Sequence, residues 1–284
     1  MAKAKATIHG AISLVNAIAT QKGATVGIAL KVEVTAETLP GKGIVIQSEN
    51  KSLSSRLINK TIEKIVSKKD LEENKIIITL ESEIPTGYGL KSSSAISSAV
   101  AMACAKIFKP KLTDQQILLA GVDASVETKV SITGAYDDAC SCYYGGFNIT
   151  DNSKRRRIHF ERAPSNLVAV IFIPKNRKRG NLKNLKILDS VFGIAWELAK
   201  EANYWKAMTI NGLATTAILN SQSDIITTLI EKGAIGASMS GNGPSIAAVV
   251  KKDNVVNVKK VFSALEGNII VSKINNKKAE VHEL

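Results

Sequence analysis

One segment of the chain combines glycines, serines and a lysine at a spacing that can bind phosphate. It is Pro85-Thr-Gly-Tyr-Gly-Leu-Lys-Ser-Ser-Ser-Ala95, and it lies between an expected strand and an expected helix. Glycines let backbone N–H groups approach an anion closely, and the helix N-terminus adds its positive dipole end. Serine hydroxyls add donors and the oxygen ligands that Mg²⁺ prefers. The segment therefore predicts a triphosphate site, with a serine-capped glycine turn as the plainer alternative.

Three carboxylates follow this segment along the chain. Glu127 precedes Asp137 and Asp138 by ten and eleven residues, and the paired glycines Gly145 and Gly146 come shortly afterwards. Phosphoryl transfer uses carboxylates to hold Mg²⁺ and to orient the attacking hydroxyl. A turn or a helix cap is the alternative for two adjacent aspartates. The chain has no Gly-x-x-x-x-Gly-Lys-Ser/Thr segment, so a kinase of this sequence needs a fold other than that of the P-loop enzymes.

Composition narrows the class of protein further. The 284 residues are 45% hydrophobic and 22% charged, which is typical of a globular domain or two. No apolar run reaches the roughly 18 residues of a membrane span, and the N-terminus lacks the apolar centre of a secretory signal. We therefore expect a cytoplasmic protein without a membrane partner. Three cysteines and three histidines, none at metal-ligand spacing, argue against a transition-metal enzyme.

The net charge of +13 indicates anionic partners. Basic residues cluster at 154–157 and 175–179, with Lys183 and Lys186 beyond them. No aromatic residues are interleaved with these clusters, as they would be in a base-stacking platform. The sequence therefore favours a solvated surface or a small anionic substrate and predicts no nucleic-acid partner. A basic RNA-binding protein is the alternative from another functional class.

The elements that must position these groups follow from hydrophobic periodicity. Alternation predicts strands at 26–37 and 75–83, and an unbroken apolar run predicts a buried strand at 167–173. Helical spacing predicts helices at 52–68, 92–108, 113–125, 182–201, 202–220 and 223–232. The polar run 151–157 is interpreted as a domain junction, which gives domains at 1–152 and 153–284. The fold class is α+β in two parts.

Several motifs resemble one kinase superfamily. Segment 85–95 resembles the second signature of the superfamily of galactokinase, homoserine kinase, mevalonate kinase and phosphomevalonate kinase, abbreviated GHMP. Segment 238–245, Ser-Met-Ser-Gly-Asn-Gly-Pro-Ser, resembles its third signature, and segment 6–27 is similar to a degenerate first one. Segments 10–23, 89–95 and 132–139 are similar to the archaeal-type shikimate kinase branch. Lys91 stands where most superfamily members have glycine, and that branch is similar in having lysine there.

This resemblance implies a two-domain GHMP kinase fold, with a ribosomal-protein-like N-terminal part and a ferredoxin-like C-terminal part. It implies ATP and Mg²⁺ as cofactors and shikimate as the substrate, phosphorylated at its 3-hydroxyl for chorismate and aromatic amino acid biosynthesis. A homoserine or mevalonate kinase is the alternative within the superfamily. A catalytically silent sensor that keeps the nucleotide loop is a further alternative. The presence of Glu127 and Asp138 argues against it. We expect a monomer or a homodimer.

The resemblance also implies roles for individual residues. Ser93 and Glu127 would hold Mg²⁺. Asp138 would be the catalytic base, with Asp137 as its rival, and Lys5 would assist the acceptor hydroxyl. The expected nucleotide ligands are Pro85, Gly87, Tyr88, Gly89, Leu90, Lys91, Ser92, Ser93, Ser94, Ala95, Ser240 and Gly241. The expected acceptor ligands are Asn16, Lys22, Asp138, Gly241 and Asn242.

Overall fold

The computed structural model describes residues 1–49, 54–177, 180–219 and 224–284. In these ranges the chain forms two β-sheets with helices packed against them. Three of the expected helices begin or end outside the described residues, at positions 52, 220 and 223. Lys178 and Arg179 of the second basic cluster also lie outside them.

The strands in chain order are β1 (Lys3–Val15), β2 (Lys22–Pro40), β3 (Gly43–Ser48), β4 (Asn74–Ser82), β5 (Phe147–Asp151), β6 (Arg156–Glu161), β7 (Leu167–Pro174), β8 (Ala234–Met239), β9 (Ile246–Lys251), β10 (Gly267–Lys273) and β11 (Glu280–Glu283). The helices are α1 (Ser55–Ile65), α2 (Lys68–Glu73), α3 (Ser92–Phe108), α4 (Asp114–Glu127), α5 (Tyr136–Tyr144), α6 (Asp189–Lys200), α7 (Tyr204–Ile218), α8 (Asp224–Glu231) and α9 (Val255–Ser263). A 3₁₀ segment, Leu182–Leu188, precedes α6.

The first sheet is organised around the long strand β2. Strands follow in the order β11-β1-β2-β4-β3, and the beginning of β2 also pairs with β5, which pairs with β6. All of these pairs are antiparallel except β3 with β4. Because β11 lies at the C-terminal end of the chain, the two ends of the sequence meet in one sheet.

The second sheet has the order β10-β7-β9-β8, with every pair antiparallel. Its strands and the helices between them follow a β-α-β-β-α-β pattern, which is that of ferredoxin-like folds. One face of this sheet packs on α8 and α9 through a cluster that includes Phe172 and Phe262. The other face joins the core of the first sheet through Ala247 and Val249.

Helix α3 lies at the centre of the main core. Its alanines and serines have small side chains, so β1, β2, α1, α4 and α5 all pack close to it. Ala95, Ala99 and Ala103 are fully buried. This packing holds the N-terminus of α3 in a fixed position, directly after the glycine-rich segment.

The structure confirms the α+β class, and α3 begins and ends at the predicted residues. The run 151–157 differs from its interpretation as a junction, because Asp151 pairs with Arg156 in a hairpin between β5 and β6. Both strands extend the first sheet, so the β5–β6 hairpin crosses the expected division between 152 and 153. The division into domains at that point stays a prediction.

Candidate active site

The two glycine-rich loops meet at a cleft with a volume of about 220 Å³. Eleven of the predicted site residues line it: Asn16, Gly87, Gly89, Lys91, Ser92, Ser93, Ser94, Asp137, Asp138, Gly241 and Asn242. Other lining residues come from β1 and from the loop 130–135 between α4 and α5. The remaining predicted loop residues are not among the lining residues: Leu90, Ala95 and Ser240 are buried, and Pro85 and Tyr88 are partly buried.

The N-terminus of α3 faces the cleft without a side-chain cap. Lys91 occupies the N-cap position in the left-handed conformation, with a φ of 67°, and its side chain makes no capping hydrogen bond. Gly87 and Gly89 also have positive φ values, 85° and 82°. Because the first N–H groups of a helix have no partner within it, they are available to an anion in the cleft. Three serine hydroxyls lie at the same place.

Serine side chains join the two glycine-rich loops. The Ser240 hydroxyl donates to the backbone oxygen of Gly89 at 2.8 Å, and the Ser245 hydroxyl donates to that of Tyr88 at 2.5 Å. A Cβ atom at Gly89 would overlap the backbone oxygen of Ser240. The close approach therefore requires glycine, and it fixes the second loop against the phosphate-binding segment.

Lys91 extends from its loop into the cleft. Its Nζ donates to the Ser13 hydroxyl at 2.8 Å, and the same hydroxyl accepts the N–H of Gly241 at 3.0 Å. Lys91 Nζ also lies 2.8 Å from Asp138 Oδ1, in ion-pair contact without hydrogen-bond geometry. The Lys91 side chain is only 4% exposed and that of Asp138 18%. One ammonium group thus connects β1, the second loop and the first turn of α5.

Asp137 has a different environment from its neighbour. Asp137 Oδ1 accepts the side-chain N–H of Asn152 at 2.8 Å, and its backbone N–H donates to Asn152 Oδ1 at 3.1 Å. Burial raises the pKa of the Asp137 carboxyl to about 7, the charge of Asp138 acts in the same direction, and Lys91 opposes both. Gly23 packs against this carboxyl, where a Cβ atom would lie 2.6 Å from its Cγ.

Asn16 holds the turn after β1. Its Nδ2 donates to the backbone oxygen of Gly241 at 2.8 Å, and its Oδ1 accepts the N–H of Ile18 at 2.8 Å. Its own backbone N–H donates to Oδ1 of Asn211, at 2.8 Å. Asn211 is fully buried in α7 and also donates to the Ser238 hydroxyl. These hydrogen bonds position this wall of the cleft, which Asn16 lines, and its role as an acceptor ligand stays a prediction.

Three predicted residues are not brought to the cleft. Lys5 Nζ lies 3.2 Å from a carboxylate oxygen of Glu33 on the neighbouring strand. Lys22 places its ammonium 4.6 Å from the centre of the Trp196 ring.

Glu127 is the third, because it closes the last turn of α4 on the outer surface. Its carboxylate pairs with Lys64 and Lys60, and the hydrogen bond from Lys64, followed by the charges of both lysines, lowers its pKa. Of the two metal ligands expected from the resemblance, Ser93 lines the cleft and Glu127 does not.

Sequence reasoning missed Ser13, Asn152 and Asn211, which position the cleft residues. Asn211 could have been noticed as an amide within an apolar helix, whereas Ser13 carries no such signal. Within the described ranges, no group of three or more His, Cys, Asp or Glu side chains could hold a metal ion. The same part of the chain has no helix long and apolar enough to cross a membrane.

This arrangement suits phosphoryl transfer. An uncapped helix N-terminus and serine hydroxyls can bind phosphate oxygens, and a carboxylate beside an ammonium group can orient a hydroxyl nucleophile. The groups are held by packed elements before any ligand binds, which is how such reactions are accelerated.

Comparison with known proteins agrees with this chemistry. The chain matches the GHMP kinases N terminal domain at residues 56–146 and the GHMP kinases C terminal domain at residues 190–266. It is 36% identical to a shikimate kinase of Methanosarcina acetivorans, covering 96% of this chain and 95% of that one. It is 32% identical to a shikimate kinase of Pyrococcus furiosus, covering 92% and 96%.

Solved structures share the fold at low sequence identity. A homoserine kinase of Cytophaga hutchinsonii superimposes with a TM-score of 0.75 at 18% identity, covering 99% of this chain and 97% of that one. The mevalonate kinase of Methanococcus jannaschii superimposes with a TM-score of 0.75 at 17% identity, covering 96% and 98%. With both family domains matched and relatives above 30% identity along nearly its whole length, the chain belongs to the GHMP kinase family.

Proposed function

We propose that this chain is a shikimate kinase, which transfers the γ-phosphoryl group of ATP to the 3-hydroxyl of shikimate. The observation that carries the proposal is that the uncapped N-terminus of α3 and the Lys91–Asp138 pair line one cleft. Relatives named shikimate kinase, 30–36% identical along nearly the whole chain, support shikimate as the acceptor. The homoserine and mevalonate kinases share only the fold.

The phosphates of ATP would bind at the beginning of α3. The backbone N–H groups of its first turn and the hydroxyls of Ser92, Ser93 and Ser94 provide donors there. The loop around Gly241 would close the opposite wall, since Ser240 holds it against Gly89. Positioning and charge neutralisation account for most of the rate in such transfers, because their transition state is loose.

Asp138 would accept the proton of the attacking hydroxyl. The acceptor oxygen then bonds to the γ-phosphorus, while the bond from that phosphorus to the leaving ADP oxygen breaks. Asp138 is the more exposed of the two aspartates, whereas Asp137 is 4% exposed and bonded to Asn152. These contacts favour Asp138 as the base and Asp137 as a residue that positions the start of α5.

Lys91 would supply the positive charge that the resemblance assigns to Lys5. Its ammonium contacts Asp138, whereas Lys5 is paired with Glu33. In this position Lys91 orients the carboxylate of the base and adds a fixed positive charge beside the transferred phosphoryl group.

Mg²⁺ would enter with ATP and neutralise charge on its β- and γ-phosphates. The donors lining the cleft are hydroxyl and carboxylate oxygens, which fit the preference of Mg²⁺ for hard ligands. Ser93 is the protein ligand that this geometry favours. Glu127 would need to leave both of its lysines to reach the ion.

The proposal is tested by measuring ADP release from ATP with shikimate, homoserine and mevalonate in parallel. We expect release with shikimate alone, and its loss in Asp138→Asn. Activity on homoserine or mevalonate but not on shikimate would overturn the acceptor. Absence of ATP-dependent activity with all three would overturn the assignment as a kinase of these acceptors.

A further inference from the structure

A second cavity lies on the other side of α5 from the cleft. It has a volume of about 310 Å³ and lies between α4, α5 and the hairpin of β5 and β6. Its lining residues are Gln115, Tyr136, Tyr144, Arg155, Arg156 and Arg157. None of them lines the cleft described above. At 3.6 residues per turn, Tyr136 and Asp138 point about 160° apart around α5.

The cavity carries an excess of positive charge. Arg155 is paired with Asp123, at 2.6 Å. Within the described part of the chain, neither Arg156 nor Arg157 forms an ion pair, and Arg156 is exposed. The nearby carboxylate of Asp114 is bound by Lys278 and by Tyr143. Two of the three guanidinium charges therefore have no acidic partner within the described residues, so the positive charge of the cavity is available to an anion.

The hairpin and α5 hold one of these charges in place. The guanidinium of Arg157 stacks 4.0 Å from the centre of the Tyr144 ring and lies 5.0 Å from that of Phe160. Its NH1 is 3.5 Å from Asn148 Oδ1. A stacked guanidinium has lost part of its freedom before binding, so less entropy is lost when it bonds an anion. Its planar N–H groups match phosphate and carboxylate oxygens in pairs.

The remaining wall is polar and aromatic. The Tyr136 hydroxyl donates to Gln115 Oε1 at 2.9 Å, which fixes its ring between α4 and α5. The cavity volume leaves space beside this ring for a small organic group attached to the anion. A dianion is favoured over a single carboxylate because two guanidinium groups lack acidic partners.

We propose that this cavity is a second ligand site, which binds the dianionic phosphate of a small phosphomonoester or of free inorganic phosphate. The site is separate from the cleft and is formed from Arg156 and Arg157 against Tyr136 and Tyr144. Its occupant would contact α5, the helix that begins with Tyr136 and carries Asp137 and Asp138 in its first turn. An anion bound here therefore stabilises the helix on which the proposed base lies.

The test is calorimetric titration of the full chain with inorganic phosphate and, separately, with phenyl phosphate. A saturating non-hydrolysable ATP analogue with Mg²⁺ keeps phosphate out of the cleft. Arg156→Gln and Arg157→Gln remove the proposed ligands. Lys154→Gln is the matched control, because Lys154 is an exposed cation of the same hairpin and does not line the cavity.

We expect saturable binding to the wild type and to Lys154→Gln, and affinities weakened about ten-fold in each arginine variant. Tighter binding of phenyl phosphate than of phosphate identifies an organic phosphomonoester as the ligand class, and equal binding identifies free phosphate. If Arg157→Gln fails to fold, the affinity of Arg156→Gln alone decides the test. Wild-type affinity in Arg156→Gln, or a loss in Lys154→Gln as large as in the arginine variants, would overturn the site.

Discussion

Lys91 Nζ lies 2.8 Å from Asp138 Oδ1, although the two side chains come from different elements and 47 positions apart in the sequence. Lys91 reaches this point from a left-handed backbone conformation, with a φ of 67°. Such a conformation is unfavourable for a residue with a side chain, and burying an ion pair costs desolvation energy. The strained backbone at Lys91 and the buried ion pair both occur at the proposed site of phosphoryl transfer. This indicates that the pair serves catalysis rather than stability.

Replacing Lys91 by glycine separates these two effects. Lys91→Gly relieves the backbone strain but leaves Asp138 without its cation, so we expect kcat to fall about 10²-fold or more while the melting temperature changes little. Lys91→Ala keeps the strain and should lose the same activity with a lower melting temperature. Steady-state kinetics and thermal unfolding of both variants check this. A rise in KM for ATP at unchanged kcat would instead make Lys91 a phosphate ligand.

The two adjacent aspartates should respond differently to amide substitution. Asp138→Asn removes the proposed base, and kcat should fall by about 10²- to 10⁴-fold while the affinity for ATP is retained. Asp137→Asn keeps an oxygen that can accept the Asn152 N–H, so its loss of kcat should be smaller. Single-turnover kinetics and nucleotide titration measure both quantities. If Asp137→Asn is the more severe change, Asp137 is the base.

Much of the nucleotide loop was predictable because its chemistry is local. Glycines, serines and the change from strand to helix periodicity occur within one segment, and α3 begins at Ser92 as expected. The positions of Lys5 and Glu127 depended on which way a side chain points from a strand or a final helical turn. The sequence does not specify this direction, since the partners Glu33, Lys60 and Lys64 lie far along the chain.

The α+β class was predictable from the sequence, but the pairing of the strands was not. The charged run after β5 has the composition of a linker, yet β6 pairs back on β5 and β11 pairs with β1. The hairpin of β5 and β6 is local but its charged composition does not indicate strands, whereas the pairing of β11 with β1 depends on contact between distant segments. The backbone N–H of Asn16 donates to Oδ1 of Asn211, 195 positions away. Neither segment alone could predict this hydrogen bond, because it also depends on contact between distant parts of the chain.

The pKa of Asp137 predicts a pH dependence of stability. Its folded pKa of about 7 lies above its ordinary value of 3.8. Between these values the folded state binds more protons than the unfolded state, so this group's contribution to stability decreases as pH rises and is lowest above pH 7. In Asp137→Asn the side chain at this position has no group that can ionise. The unfolding free energy of the wild type relative to Asp137→Asn should therefore fall between about pH 4 and about pH 7 and level off above that.

Urea unfolding of both proteins across this range measures the difference and cancels the other titrating groups. Parallel curves for the two proteins would show that Asp137 titrates in the folded state near its ordinary value.

The contact between the two glycine-rich loops should be essential for nucleotide binding. In Gly89→Ala the new methyl group meets the backbone oxygen of Ser240, so the loops must separate. Gly43→Ala is the matched control, because Gly43 also has a positive φ, 119°, but has no atom within 4 Å of the added position. Each variant bears the backbone strain, of about 1–2 kcal/mol. We expect only Gly89→Ala to raise KM for ATP, by about ten-fold or more. Equal kinetics in the two variants would show that the contact between the loops is not needed for nucleotide binding.

The surface position of Glu127 predicts that it is not a metal ligand. Glu127→Gln should leave the Mg²⁺ concentration for half-maximal activity unchanged, whereas Ser93→Ala should raise it about ten-fold. Glu63→Gln is the control for charge, since Glu63 also pairs with Lys60 on the same surface. Activity titrated with Mg²⁺ at fixed ATP measures all three variants. A higher Mg²⁺ requirement in Glu127→Gln but not in Glu63→Gln would show that Glu127 leaves its lysines and binds the metal when ATP is present.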